Sequence, residues 1–298
     1  MISICIPAYN FNVTGLVSEL FTQAKLLNVP YEIIIIDDCS HPNFKELNRS
    51  VCEKHKYIEL PENIGRSKIR NLFLSYAQYN YLLFLDCDSL VASSNFLSNY
   101  IKSLKQQPSV VCGGRVYDTA RPARNRLLRW KYGIYRESQP FTIRNTFPNK
   151  SFMTNNFLIA RAVIEKIKFD ERLTRYGHED TLFGYELKKE NIAITHIDNP
   201  VVNGDLEENA EYLHKTKEGI INLIHILQFI DYNDVLIDDI SILKFYNKIK
   251  KAELLIKIAF AISKPFIYLL LARGYVNLYL FDFYKLGIYI ENRKRVVN

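Results

Sequence analysis

Leu83-Phe84-Leu85-Asp86-Cys87-Asp88 ends an apolar run on two carboxylates one residue apart. The run begins at Tyr81, and its length and composition predict a buried strand over residues 81–85. Two carboxylates at the end of such a strand cannot both be buried without compensation. A divalent cation bridging them to a diphosphate would supply it, and hard oxygen ligands suit Mg2+ or Mn2+. An acidic turn that merely solvates a strand end has the same appearance.

The surrounding chain narrows that choice. Residues 33–36 are four consecutive isoleucines, the mark of a strand buried on both faces, and they stop at Asp37-Asp38-Cys39-Ser40. Ile2-Ser3-Ile4-Cys5-Ile6 is a further strand, closed by Pro7-Ala8-Tyr9-Asn10. Leu16, Leu20, Phe21, Ala24 and Leu27 recur at helical spacing, as do Ile69, Leu72, Phe73 and Tyr76, with a strand-like 57–60 between the two helices. Strand, helix, strand, helix predicts a parallel α/β sheet, and such sheets bind ligands at the carboxyl ends of their strands. Three strand ends then outline one pocket, in which Tyr9 can stack on a base and Asp38 can accept the imide N–H of a uracil. Alone, Asp37-Asp38 is as well read as a helix N-cap.

Two further segments carry charge at helix starts. In Glu62-Asn63-Ile64-Gly65-Arg66-Ser67-Lys68-Ile69-Arg70-Asn71 the cations oppose the helix dipole, which makes sense if a nucleotide or phosphate lies against that end. A solvated basic face is the alternative. Gly177-His178-Glu179-Asp180 opens a helix through Leu187. Its acids either cap that helix or include a base that deprotonates an acceptor hydroxyl. Residues 192–197 read as a strand and residues 207–230 as a long amphipathic helix. Residues 243–298 are rich in Leu, Ile, Tyr, Phe and Lys. Within them, 252–272 is apolar, but Glu253, Lys257, Lys264 and Pro265 argue against a membrane span. A helical cap and an amphipathic surface lying in the membrane interface remain.

The 298 residues are 48% hydrophobic and 24% charged, a globular balance. The net charge of +7 concentrates in residues 115–144 and 244–257. Zinc-finger spacings, a helix-turn-helix signature and an aromatic RNA-binding motif are missing, so nucleic acid is set aside in favour of phosphate or an anionic membrane surface. Five cysteines form no C-x-x-C pair, which points to a reducing, cytoplasmic setting. A strand starting at Ile2 leaves no room for a signal peptide. His41, His55, His196, His214 and His225 read as structural or surface residues.

Taken in order, 3–10, 35–40, 63–71 and 84–88 are followed by Thr154-Asn155-Asn156-Phe157-Leu158-Ile159-Ala160-Arg161, Phe169-Asp170-Glu171 and Tyr176-Gly177-His178-Glu179-Asp180-Thr181. This series resembles the family-2 glycosyltransferases, inverting enzymes of the GT-A fold that build bacterial surface polysaccharides. The resemblance covers about residues 2–205. It implies a Rossmann-like mixed sheet flanked by helices and roles position by position. Pro7, Tyr9 and Asp38 would hold the nucleobase, with Asn10, Asn63, Arg66 and Arg70 in the same nucleotide-sugar pocket. Asp86 would lie by the ribose and metal, Asp88 would ligate the Mn2+ or Mg2+, and Asn156 would stand near the donor sugar or acceptor. Asp180 would be the catalytic base, with Glu179 or His178 orienting the acceptor. Family members often carry a metal-binding histidine after an Asn-Pro-Val segment; here Asn203 falls there, with His196 or His214 as substitutes.

The resulting expectation is a catalytic domain over 1–205 (about 1–110 for the nucleotide-sugar, 111–205 for the acceptor) and a helical C-terminal extension over 206–298. The donor would be a nucleotide-sugar, most simply a UDP-sugar. The acceptor would be a glycan or lipid-linked oligosaccharide at the inner face of the cytoplasmic membrane. A polyprenyl-phosphate glycosyltransferase and a catalytically silent sugar-nucleotide-binding scaffold are the alternatives.

Overall fold

The computed structural model describes residues 1–52, 55–230, 237 and 239–293. Residues 231–236, 238 and 294–298 of the expected C-terminal extension, and the Cys52 side chain, lie outside the described residues. Ten strands are present among them: β1 (Ile2–Ala8), β2 (Tyr31–Asp37), β3 (Lys56–Glu59), β4 (Tyr81–Leu85), β5 (Ser89–Leu90), β6 (Val110–Cys112), β7 (Arg115–Val116), β8 (Asn156–Ala160), β9 (Ile194–His196) and β10 (Val201–Asn203). The helices are α1 (Thr14–Ala24), α2 (Pro42–Cys52), α3 (Arg66–Tyr76), α4 (Phe96–Ser103), α5 (Leu127–Tyr132), α6 (Phe141–Thr146), α7 (Arg161–Lys166), α8 (Glu179–Lys189), α9 (Asn209–Phe229), α10 (Ser241–Ile249), α11 (Glu253–Ala272) and α12 (Leu278–Arg293).

Seven strands form one sheet in the order β3-β2-β1-β4-β8-β6-β9. Strands β1 to β4 are parallel, with Ile4 level with Ile33 and Leu83, as the alternation of strands and helices predicts. Strand β8 then runs antiparallel to both β4 and β6, which makes the sheet mixed. Both faces are covered. Ile4, Ile6, Ile33, Ile35, Leu83 and Leu85 pack on Leu16, Val17 and Leu20 of α1. The alternate residues Cys5, Ile34, Ile36, Leu82 and Phe84 pack on Ile69 and Phe73 of α3 and on Phe157, Phe169 and Phe183. A strand with two covered faces has no polar side, which is why the runs 33–36 and 82–85 are unbroken in the sequence. Each such side chain removed from water stabilises the fold by about 1.5–3 kcal/mol before entropy is counted.

A small second sheet, β5-β10-β7, sits beyond the end of β4. Its pairing sets Asn203 opposite Ser89, one residue after Asp88. Gly204 follows, and its N–H donates to the Asp88 carbonyl at 2.8 Å. A Cβ at this glycine would come within 2.6 Å of that carbonyl oxygen, so the close approach requires the missing side chain.

The chain divides into two compact units. The sheets belong to the first, Met1–Tyr117 with Ser138–Thr174 and Glu179–Asp205. The second is helical and comprises Asp118–Glu137, Arg175–His178 and Leu206–Asn298. Residues 118–137 and 175–178, within the expected acceptor side, group with the helical unit. In that unit the Asn209 side chain starts α9 by accepting from Leu128 N–H (2.9 Å) and donating to the Arg124 carbonyl (3.0 Å). Tyr132, Tyr212 and Phe281 form an aromatic cluster with centroids 5.6 to 6.1 Å apart. The helix expected over 207–230 is present as α9. Ser241–Ala272 is long and apolar enough to cross a membrane by length and composition, although its internal charges argued against a span.

Candidate active site

The ends of β1 and β2 are joined by side chains rather than left open. Asn10 has a left-handed backbone (φ 49°), and its Oδ1 accepts from His41 N–H at 2.7 Å while its own N–H donates to Ser40 Oγ at 2.8 Å. Asp37 is fully buried and accepts from Ser40 N–H (2.7 Å) and the Tyr57 hydroxyl (3.1 Å). The Asp38 carboxylate accepts the N–H groups of Ile64 (2.7 Å) and Gly65 (3.0 Å) through its two oxygens. Asn63 Nδ2 donates to the Asp38 carbonyl at 3.1 Å. Gly65 has φ 82°, a backbone that favours glycine, and it leads directly into α3. Burial raises the Asp38 pKa, and the two amide bonds oppose the rise. Pro7 pairs with Ile36 in the sheet and is half-buried, whereas the Tyr9 ring is exposed. A planar, accessible ring over a strand end is what a base needs for stacking.

At the end of β4 the partners are charged. Asp86 Oδ1 lies 2.9 Å from Arg70 and Oδ2 lies 3.5 Å from Arg115. Burial pushes the Asp86 pKa up, but Arg70, Arg115 and Arg66 outweigh it and hold the group below the usual carboxylate range. Arg70 is itself buried. Arg66, at the first position of α3 and half exposed, pairs with buried Glu179 at 3.1 Å. Two of the cations that opposed the α3 dipole, Arg66 and Arg70, therefore have carboxylate partners, on α8 and just past the end of β4, brought together only by the fold.

Asp180 stands beside Glu179 in the first turn of α8. Its Oδ1 accepts from Thr181 N–H at 2.7 Å, and its Oδ2 has no hydrogen bond among the described residues. Burial, with the Glu179 charge next in weight, pushes its pKa up to about 6. A partly exposed carboxylate in that range can take a proton near neutral pH. Glu179 moves the other way: burial would raise it, but Arg66 and Arg70 keep it ionised. His178 has a left-handed backbone (φ 67°) after Gly177 (φ 91°) and groups with the helical unit.

Asp88 accepts from Asn203 Nδ2 at 3.1 Å, and Asn203 Oδ1 is buried without a hydrogen bond. A carboxylate beside an unsatisfied amide oxygen suits a hard divalent cation that completes its shell with phosphate oxygens and water. Among the described residues no group of three or more His, Cys, Asp or Glu is placed to hold a metal. The donors that fit are thus Asp88 and Asn203. Asp86, expected at the metal, has each carboxylate oxygen paired with a guanidinium instead.

Two residues of the expected site have their polar atoms engaged within the protein. Asn156 is almost fully buried, accepts from the Tyr100 hydroxyl at 2.6 Å and donates to the carbonyls of Gly114 and Asn199, both at 2.9 Å. Its amide holds β8 to neighbouring loops. His196 is no substitute metal ligand. Its Nδ1 lies 2.8 Å from Arg144 and its Nε2 lies 2.9 Å from the Pro148 carbonyl. Burial, with Arg144 adding to it, pushes its pKa down to about 4. His214 is an exposed residue of α9 in the helical unit.

The structure also adds residues. Arg115 belongs to the basic segment 115–144, and its pairing with Asp86 depends on a contact across 29 positions. Asn155 is buried, its carbonyl accepts from Asp86 N–H at 3.1 Å, and its Nδ2 lacks a partner. The Thr154-Asn155-Asn156 motif signalled an amide at this point but not which of the two was unsatisfied.

The class that this fold and site define is a nucleotide-sugar transferase of the GT-A type. Residues 3–167 match Glycosyl transferase family 2, and the chain belongs to that family. Among curated relatives, chondroitin synthase of Escherichia coli is 25% identical over 225 residues, 63% of this chain and 32% of that protein. The chain therefore spans about a third of that relative's length. Among solved structures, mannosyltransferase PcManGT from Pyrobaculum calidifontis, in complex with GDP-Man and Mn2+, superimposes with a TM-score of 0.60 at 13% identity, covering 99% of this chain and 86% of that one. S. aureus TarS 1-349, in complex with UDP-GlcNAc, gives 0.54 at 16% identity, with 99% and 90% covered.

Proposed function

We propose that the chain is an inverting, metal-assisted glycosyltransferase that moves a sugar from a nucleotide-sugar to a hydroxyl of a growing surface polysaccharide. The observation that carries this reading is Asp180. Its Oδ2 has no hydrogen bond among the described residues and its pKa is pushed up to about 6, while the adjacent Glu179 is kept ionised beside Arg66.

Asp180 Oδ2 takes the proton of the incoming hydroxyl as that oxygen attacks the anomeric carbon. Attack from the face opposite the leaving diphosphate inverts the configuration in one step, so no covalent intermediate on the protein is needed. Glu179 stays negative and keeps Asp180 basic enough to accept the proton. Tyr9 offers the stacking face for the base, and Asp38 holds the 63–65 loop that walls the nucleotide pocket. Asp88 and Asn203 would hold a divalent cation, which when bound neutralises charge on the departing diphosphate. Arg66, the accessible member of the arginine group, is the cation nearest in kind to what a diphosphate requires.

A UDP-sugar is the preferred donor, a reading supported by the likeness to TarS with UDP-GlcNAc, and Mn2+ is supported by the likeness to the Mn2+-bound mannosyltransferase. The relationship to chondroitin synthase supports a glycan as acceptor. Calorimetric titration with a panel of UDP- and GDP-sugars, in Mn2+ and in EDTA, tests the proposal. Tight binding of one UDP-sugar that EDTA weakens is expected; no binding to any donor in Mn2+ would overturn it.

A further inference from the structure

The helical unit leaves an apolar surface uncovered. Helix α11 buries Phe260, Ile267 and Leu271. Phe260 meets Phe283 and Tyr284 of α12 edge-on, with centroids 5.9 and 6.1 Å away, and lies against Gly287 so closely that no Cβ would fit there. The other side carries Leu254, Leu255, Ile258, Ile262, Phe266 and Leu269, all exposed, with Leu255 at 72% and Ile262 at 76%. From Leu254 the steps of four, four, four and three keep them on one stripe of the helix. Over the most apolar stretch of Ser241–Ala272 mean hydropathy reaches 1.9, yet only 17% of it is buried. Water-exposed apolar patches of this extent mark binding surfaces.

The charges around the stripe identify the occupant. Residues 241–272 contain six lysines and one acid, Glu253. Lys244, Lys248, Lys250, Lys251 and Lys257 are exposed, as is Arg273 just beyond the helix. Glu253 is itself neutralised by Arg293 at 3.5 Å. A second copy of this chain would bring the same lysines toward each other. Anionic lipid headgroups would meet cations at the rim and acyl chains at the stripe. Because the opposite face of α11 is packed on α12, the helix is suited to lie in the interface rather than to cross it.

We propose that α11 docks the protein onto an anionic lipid bilayer, with the 254–269 stripe at the headgroup–acyl boundary and the flanking lysines on lipid phosphates. The docking surface does not depend on which donor the catalytic unit takes. Flotation of the full chain with phosphatidylcholine vesicles, with and without phosphatidylglycerol, tests it at low and high salt. Recovery with the anionic vesicles should exceed that with neutral ones by about tenfold at low salt and fall with added salt. The Ile262→Asp, Phe266→Asp double variant should lose it by a similar factor, while its circular dichroism melt and nucleotide-sugar titration match the wild type. Both side chains are exposed, so the fold has no stake in them. Equal recovery with neutral and anionic vesicles, or undiminished recovery of the double variant, would overturn the proposal. So would a lipid-free dimer in sedimentation velocity that the double variant dissociates, since a second copy would then cover the stripe. A donor titration that fails while flotation succeeds would count against the transferase reading alone.

Discussion

Strands β2 and β4 end alike in the sequence, each an apolar run closed by a pair of acids, and the fold uses the two pairs differently. At the end of β2, Asp37 and Asp38 accept from backbone amides and a tyrosine hydroxyl, which makes them the staples of two loops. At the end of β4, Asp86 is held by two guanidinium groups and Asp88 sits by an amide with an unsatisfied oxygen. The difference lies in what the neighbouring chain offers. The 63–65 loop presents N–H donors, which shape a wall, whereas α3, β7 and β10 present side chains that assemble a charged site. A carboxylate bonded to backbone positions structure; one bonded to side chains can exchange partners when a ligand arrives.

The largest expected effect falls on the carboxylate that both strand ends would serve. Asp180→Asn should lower kcat by about 100-fold or more, the low end for a lost general base, with donor binding intact by calorimetry. Near-normal turnover would show that the base lies elsewhere. The β4 end comes next. Asp88→Asn should weaken donor binding in Mn2+ by roughly 10- to 100-fold and leave binding in EDTA unchanged. An equal loss in both conditions would make Asp88 a structural acid like Asp37.

The β2 end should respond in stability instead. Asp37→Ala removes the acceptor of the Ser40 amide and one partner of the Tyr57 hydroxyl, and urea unfolding should register a loss of about 1–3 kcal/mol. Turnover of the remaining folded protein should be little changed. Gly204→Ala probes the same contrast through the backbone. The added Cβ must displace the Asp88 carbonyl, so a stability loss of about 1–3 kcal/mol should come with weaker metal-dependent binding.

The smallest effect is a shift in pH dependence. As the proposed base Asp180 would have to be ionised, so kcat/KM should rise with pH through about 6 and fall below it. Glu179 contributes to raising that pKa, and Glu179→Gln should move the acidic limb to lower pH. The sign is fixed by electrostatics: removing a like charge makes the Asp180 anion easier to form. A limb that stays in place would leave burial as the whole cause.

Much of this was legible in the residues. Continuous isoleucine and leucine runs mark strands covered on both faces, and hydrophobic spacing marks α1 and α3, because burial acts on each side chain through its own position in the local repeat. The acids at strand ends and at the start of α8 were visible for the same reason. What the residues could not disclose were pairings between distant segments. Nothing in the order of the chain distinguishes Asn155 from Asn156. One residue of offset along a strand turns the side chain to the opposite face, and there Asn156 meets Tyr100, Gly114 and Asn199. His196 was likewise an open candidate until Arg144 and Pro148 occupied its two nitrogens. The sequence by itself determined the parallel core, the family and the set of acids available for chemistry, all of which follow from local pattern. Only the tertiary structure decided which acid is stapled, which is paired and which is left with an oxygen to use, since a carboxylate's chemistry depends on the donors and charges within a few ångströms of it.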